Sequence, residues 1–500
     1  MNGQVAFLLC TVAVGVLFYL DRDSSVSSSK ALWVPVVWIW LACSRDVSSW
    51  FGITSHHGLQ GTLDGNPLDA AVIGSIQAIG TLVLLSRKRK TGAYLAVINP
   101  IVIYLIYCLI SVSWASYQVP ALKRWTKDVG DVSMVLIVAM ELHPLEALQR
   151  VYSRAAFVLF PFSLTLIRYS TLGRAWNADG RLSIVGVTEN KNSLGLIAFV
   201  ISLGVLWSLR RLLLNKCAPN RGRRMLAQGI VFACGLYLLT IADSSTSKAC
   251  FLLGAFLMLL TYRRAFRRRP SRVHVLCLAI ILVGGGALLS GDMAANALGR
   301  DSNLSGRTLM WAAMFPAVSN PMIGVGFDSF WTSPNAQMFH HSLDLLHWYH
   351  PEQINEAHNG YIEVYLNLGW IGVCLIALIL GNGYWRACKA FRRDPQFGGL
   401  MLAYIVTGAI YSITEAGFRT LNPMWIFILL TVVSVSGANT QLLGLERTKR
   451  FRIRKAVGRR RSMSGMPEPD GEMVPPPHPA EALGKIQLGE PWVNREGMGG

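Results

Sequence analysis

An arginine and a histidine, toward the two ends of one long polar insert, are the side chains best placed for chemistry in this chain. The insert runs from Gly291 to Val364. It holds five of the ten histidines (His340, His341, His347, His350 and His358) together with Arg307, Asp328, Glu352 and Glu356. An arginine at a membrane interface can pair bidentately with a phosphate. A histidine with an ordinary pKa of about 6.5 can take a proton from an attacking hydroxyl, and Glu356 can orient it or take that role itself. The insert has neither a DxD nor an HExxH pattern. His340, His341, His347 and His350 could ligate zinc by spacing alone, but their stretch is polar, aromatic and flexible in character, so no metal is assigned. The competing reading makes Arg307 and His358 ordinary interfacial residues, with the arginine stem reaching toward headgroups.

Three pieces of the insert must position these groups. Ser305–Phe315 (SGRTLMWAAMF) starts on a capping serine and continues with helical apolar content, which puts Arg307 in a first turn. Pro321–Phe327 (PMIGVGF) is a glycine-punctuated turn. Asn355–Val364 (NEAHNGYIEV) runs into an apolar segment, so Glu356, His358 and Asn359 stand at a helix mouth.

The rest of the chain reads as membrane. Of 500 residues 52% are hydrophobic and 15% charged, well below the roughly 25% charged of soluble domains. Segments of about 17 to 21 mostly apolar residues recur, long enough to cross a hydrocarbon core of about 30 Å. The expected fold is all-α and polytopic, with 12–13 transmembrane helices over residues 1–438. Spans are expected near 3–20, 31–43, 68–86, 94–114, 129–142, 151–169, 194–210, 225–241, 248–262, 273–290, 365–381, 397–411 and 421–438. The first lacks a basic leader and a small-residue cleavage site, so a retained helix is expected. The net charge of +19 concentrates in a few connections, Arg87–Lys90, Arg210–Arg224, Arg263–Arg272, Arg386–Arg393 and Lys449–Arg461. That is the positive-inside pattern rather than a nucleic-acid footprint, and such clusters also attract anionic lipid heads. It leaves 115–128, 170–193, 242–247, 291–364 and 412–420 outside. The short 31–43 segment divides two arrangements. Thirteen crossings put the N-terminus outside; twelve, with that segment at the interface, put it inside. His56 and His57 lie in an external Gly/Ser-rich loop and read as surface residues. Residues 439–500 turn basic and Pro-rich and are expected to form a disordered cytoplasmic tail. The nine cysteines are scattered without CxxC and read as small buried hydrophobes.

Three other polar patches share the external side: Thr188–Ser193, Asp243–Lys248 and Thr414–Arg419 (TEAGFR). They could converge with the insert on one cavity. Ordinary helix capping explains each singly.

Taken in order, Gly186–Gly195 (GVTENKNSLG), Asp243–Ala249 (DSSTSKA), Ser305–Trp311 (SGRTLMW), Pro321–Phe330 (PMIGVGFDSF), His358–Gly372 (HNGYIEVYLNLGWIG) and Thr414–Arg419 resemble the bacterial O-antigen ligase and polysaccharide polymerase superfamily. The resemblance covers about residues 185–425; the basic, Pro-rich tail departs from it. It implies a large periplasmic loop at 291–364, an inner-membrane location, and glycan transfer from an undecaprenyl-diphosphate carrier with no cofactor and no required metal. By resemblance Arg307 is the loop arginine, His358 and Asn359 the histidine pair, Lys191 and Asn192 the Lys-Asn pair, and Glu415 the acidic residue between the last spans. Arg307 with Lys191 or Arg419 would compensate the departing diphosphate, and His358 would be base or acceptor-positioning residue, with Glu356 and Glu415 as rivals. A polymerase is the expected function. A ligase to lipid A core and a polysaccharide or lipid transporter are the alternatives, and other export proteins are conceivable partners.

Overall fold

The computed structural model describes residues 2–23, 28–53, 65–87, 98–176, 180, 182–261, 263–269, 271–297, 303–345 and 354–433. The expected tail, His56, His57, His347, His350 and Glu352 lie outside them. The helices are α1 (Gly3–Leu20), α2 (Trp33–Ala42), α3 (Pro67–Ser86), α4 (Asn99–Ser111), α5 (Gln118–Ala139), α6 (Pro144–Tyr169), α7 (Lys191–Leu214), α8 (Arg221–Ile241), α9 (Ser245–Thr261), α10 (Ser271–Ala297), α11 (Asn303–Met314), α12 (Pro334–Leu345), α13 (Gly360–Arg393), α14 (Pro395–Thr414) and α15 (Pro423–Val433). One small antiparallel hairpin, Arg174–Trp176 with Leu182–Ile184, is the only sheet among the described residues. Each anticipated span coincides with a helix, and α11 and α12 come from the insert.

The protein is an all-α, multi-pass membrane protein. Seven helices (α1, α3, α6, α7, α8, α13 and α14) are long and apolar enough to cross a bilayer, and five shorter apolar segments accompany them. α1 and α3 leave Leu8, Val12, Val16, Leu82 and Leu85 exposed, as helices facing lipid do. α7, α14 and α15 are almost wholly buried at the centre. There Tyr152, Tyr404 and Phe427 stack with ring centroids 5.5 to 6.0 Å apart. Gly204 lies against Tyr152, where an added Cβ would come within 2.3 Å of the ring.

α2 decides how the front of the chain runs. Just before it, the backbone N–H and hydroxyl of Ser29 donate to Glu141 (3.1 and 2.7 Å) at the C-terminal end of α5. Just after it, Arg45 donates to the carbonyls of Leu172, Gly186 and Thr188 at the opposite end of the bundle. The second segment therefore passes from end to end, as in the thirteen-segment arrangement. Gly3 abuts the Tyr169 carbonyl, so the N-terminus shares the end that carries the 170–193 loop.

Two expectations need correction. The connection drawn at 115–128 is helical from Gln118 onward. α5 is too polar to rank with the apolar spans: its second half lies inside the protein and keeps two carboxylates there. Asp131 accepts from the Trp38 indole (2.7 Å) and from the Leu421 backbone N–H (2.9 Å), and Asp128 accepts from the Trp425 indole (3.2 Å). The insert is also less irregular than anticipated: α10 runs on to Ala297, and α12 organises the stretch around His340 and His341.

The span expected at 365–381 belongs to a 34-residue helix that breaks at Gly369 (φ 63°, ψ −165°). The glycine turn of the insert docks into this break. Val325 and Gly326 donate their N–H groups to the carbonyls of Leu366 and Asn367 (3.1 and 2.9 Å), and Trp370 and Ile371 donate to Pro321 and Met322 (2.9 and 3.2 Å). Backbone groups orphaned by the break are thus satisfied by another segment, as an apolar setting requires. Gly324 and Gly369 both have positive φ and leave no room for a Cβ, which would stand 2.5 Å from Asn367 and 2.3 Å from Met322 backbone atoms.

Candidate functional site

Three segments close on one another at the end of the bundle that carries the insert. α11 brings Arg307, the turn before α13 brings Glu356 and His358, and the α14–α15 connection brings Glu415 and Arg419. Ser305 proves to lie inside the first turn of α11 rather than at its cap, since the helix starts at Asn303. Arg307 Nη1 donates to the Thr414 carbonyl at 2.6 Å, and its Nη2 lies 3.6 Å from Glu415 Oε1. His358 Nδ1 is 2.8 Å from Glu356 Oε1 and 3.7 Å from Glu415 Oε2. Neither contact has hydrogen-bond alignment, so the interaction is an ion pair. Arg419 bridges Glu356 (3.6 Å) and Glu363 (4.0 Å). Asn192, from the first turn of α7, donates to Glu415 at 3.4 Å.

Local sequence explains the placement. Asn359 caps α13, its Oδ1 accepting from the N–H groups of Tyr361 (2.9 Å) and Ile362 (3.1 Å), a standard use of asparagine at a helix start. The next residue, Gly360, lets Phe418 approach closely. His358 itself sits at φ 46°, a left-handed conformation that costs a non-glycine residue on the order of 1 kcal/mol and more. The cap on one side and the ion pairs on the other hold it there.

The electrostatics follow from that geometry. Burial pushes the Glu356 carboxyl up, but the contact with His358 and the charges of His358, Arg419 and Arg307 outweigh it and hold the pKa at about 2. Burial pushes the His358 imidazole down, and contacts with Glu356 and Glu415 overcome this and raise it to about 9. Burial would lower Arg419 too, yet Glu363, Asp328 and Glu356 keep it raised. At neutral pH His358 and Glu356 therefore face each other as an ion pair, with Arg419 beside them.

Glu356, His358 and Glu415 also offer ligand atoms within 4.8 Å of one another and could hold a cation. Arg307 and Arg419 lie within 3.6 Å of the same carboxylates and already supply positive charge, so the set fits ion pairs better than a dication.

Of the residues singled out in the sequence, Arg307, Glu356, His358, Glu415, Arg419 and Asn192 come together. Lys191 is drawn to Asp243, with Nζ 3.4 Å from Oδ2, and Asn359 acts as the cap. His340 Nε2 donates to the Ile354 carbonyl (3.0 Å) and His341 is exposed. Sequence reasoning missed Glu363, whose carboxylate accepts from the Trp331 indole (2.7 Å) and the Ala357 N–H (2.9 Å). Its only signal was an acid in the first turn of a helix, where acids are common.

Residues 229–377, which include Arg307, Glu356, His358 and Glu363, match the O-antigen ligase family model. In class the match makes the chain similar to the O-antigen ligase-like membrane proteins that its motifs resemble. Among individual proteins it is similar to the exopolysaccharide production protein ExoQ of Rhizobium meliloti (strain 1021), with 26% identity over 331 residues, 63% of this chain and 71% of the relative. Both likenesses point to a polysaccharide-related ligase or polymerase.

Proposed function

We propose that the protein is a polysaccharide polymerase. It would transfer a glycan from an undecaprenyl-diphosphate carrier to a glycan acceptor at the periplasmic face of the bacterial inner membrane. The observation that carries this reading is the convergence of Arg307, His358, Glu356, Glu415 and Arg419 at one end of an apolar bundle. The acceptor hydroxyl attacks the anomeric carbon, the new C–O bond forms, and the bond to undecaprenyl diphosphate breaks. The hydroxyl proton passes to the free Nε2 of a neutral His358, whose Nδ1 side is held by Glu356. Arg307 and Arg419, which face carboxylates without substrate, turn their charge to the departing diphosphate, with Lys191 and Asn192 at the rim.

The printed name of the ExoQ relative, an exopolysaccharide production protein, supports polymerase over ligase. The O-antigen ligase match over 229–377 favours the second reading, transfer to lipid A core. Supplying the purified protein with carrier-linked repeats, with and without lipid A core, separates them. Growth of carrier-linked glycan in the absence of core supports the polymerase; product only when core is present supports the ligase.

A further inference from the structure

A second charged cavity lies at the opposite end of the bundle, beside the Ser29–Glu141 contact. It encloses about 260 Å³ between the end of α1 and the first half of α6, with Phe18 and Phe157 on its apolar side and Arg22, Arg150 and Arg154 on its polar side. Its two acids are already engaged by α8. Asp23 accepts from Arg224 Nη1 at 2.7 Å, and Asp21 accepts from Gln228 at 3.2 Å with Arg224 Nε 3.7 Å away. Arg150 reaches the Asp23 backbone carbonyl (3.4 Å). The Arg154 guanidinium lies over the Trp33 ring at 4.2 Å, and its Nη1 is buried with no hydrogen-bond partner among the described residues. A buried guanidinium N–H without an acceptor is costly and is satisfied by an anionic oxygen.

Its neighbours favour one source of that oxygen. The cavity adjoins α1, whose Leu8, Val12 and Val16 are exposed, and Trp33 is itself 39% exposed, as interfacial tryptophans are. Apolar surface for acyl chains thus runs directly into a pocket with three arginines. We propose that this cavity binds the phosphate group of an anionic phospholipid, in the leaflet opposite the Arg307–His358 centre. The site is independent of the transfer chemistry and stands or falls separately from it.

Nanodiscs of mixed phosphatidylglycerol and phosphatidylcholine provide the test, with native mass spectrometry of the released protein. Wild type should retain phosphatidylglycerol preferentially, and R150Q/R154Q should retain about tenfold less. A photoactivatable phosphatidylglycerol headgroup on the wild-type protein covers the case in which the variant does not fold. Its cross-links should fall on residues 18–23, 28–33 and 150–157. Equal retention by the folded variant, equal retention of the two lipids, or cross-links spread elsewhere would overturn the proposal. Protection of Arg154 from guanidine-directed labelling by inorganic phosphate alone, with no lipid preference, would assign the pocket to a soluble ion and also overturn it.

Discussion

At the residue scale, the proposed mechanism sets two charges against the diphosphate and one imidazole against the acceptor. R307A and H358A should each reduce glycan transfer by about 100-fold or more while the protein remains inserted, the usual cost of removing a group that stabilises transition-state charge. R307K should recover little, because an ammonium cannot reproduce both the Thr414 carbonyl bond and the Glu415 contact. Because His358 is raised to about 9, only its minor neutral fraction accepts a proton at pH 7. Transfer should therefore accelerate from pH 7 toward 9, and the rise should vanish in H358Q. A flat or falling profile would remove His358 from the base role. Stability runs the other way. The raised histidine stabilises the fold fully below about 6.5 and loses that contribution as pH rises through 9. The depressed Glu356 stabilises above about 4.5 and loses it as pH falls toward 2. Thermal unfolding should be highest between those limits, and H358A should flatten the alkaline side. The convergence of Arg307 and His358 was anticipated because the polar insert offered both and the family resemblance singled out that histidine among five. Glu363 was not, because its partners Trp331 and Arg419 are distant in sequence and only the fold brings them to it.

At the element scale, the broken helix is the feature that patterning alone hid. An apolar run with three glycines reads as an ordinary span, and the interruption at Gly369 appears only when the 321–326 turn is fitted into it. That docking pins the segment that follows α11 to the break in α13. A Cβ at residue 369 would stand 2.3 Å from Met322 backbone atoms in a positive-φ conformation. G369A should therefore lower stability by roughly 1–3 kcal/mol and depress transfer with every site residue intact. Melting in detergent with and without the substitution measures this; unchanged melting would mean that the turn does not hold the break. Asn359 caps the start of α13 and Asp394 that of α14, yet the span expected to end at residue 381 runs on to Arg393, through the expected basic connection.

At the scale of the whole molecule, apolar runs located the spans, charge alternation assigned their expected orientation, and the structure added the course of the shortest. Lys30–Ala42 was ambiguous because 13 residues is short for a free-standing span. α2 traverses the bundle because it packs against other helices, with its tryptophans bonded to Asp131 and the Arg154 carbonyl. If the insert faces the periplasm, Cys217, exposed in the α7–α8 connection, faces the cytoplasm. In a variant whose only cysteine is Cys217, an impermeant maleimide should label broken but not intact cells. The same protein with Cys217 replaced and N320C added should label in both. Dialysis against EDTA should leave transfer unchanged, since Arg307 and Arg419 supply the charge a metal would. The most direct measurement of the central claim is reconstitution of the purified protein in liposomes with an undecaprenyl-diphosphate-linked repeat, scoring new glycosidic bonds against released undecaprenyl diphosphate. The account predicts one carrier released per bond formed, and none of either with R307A. Movement of the lipid across the bilayer with no new bond, or wild-type rates in both R307A and H358A, would contradict it.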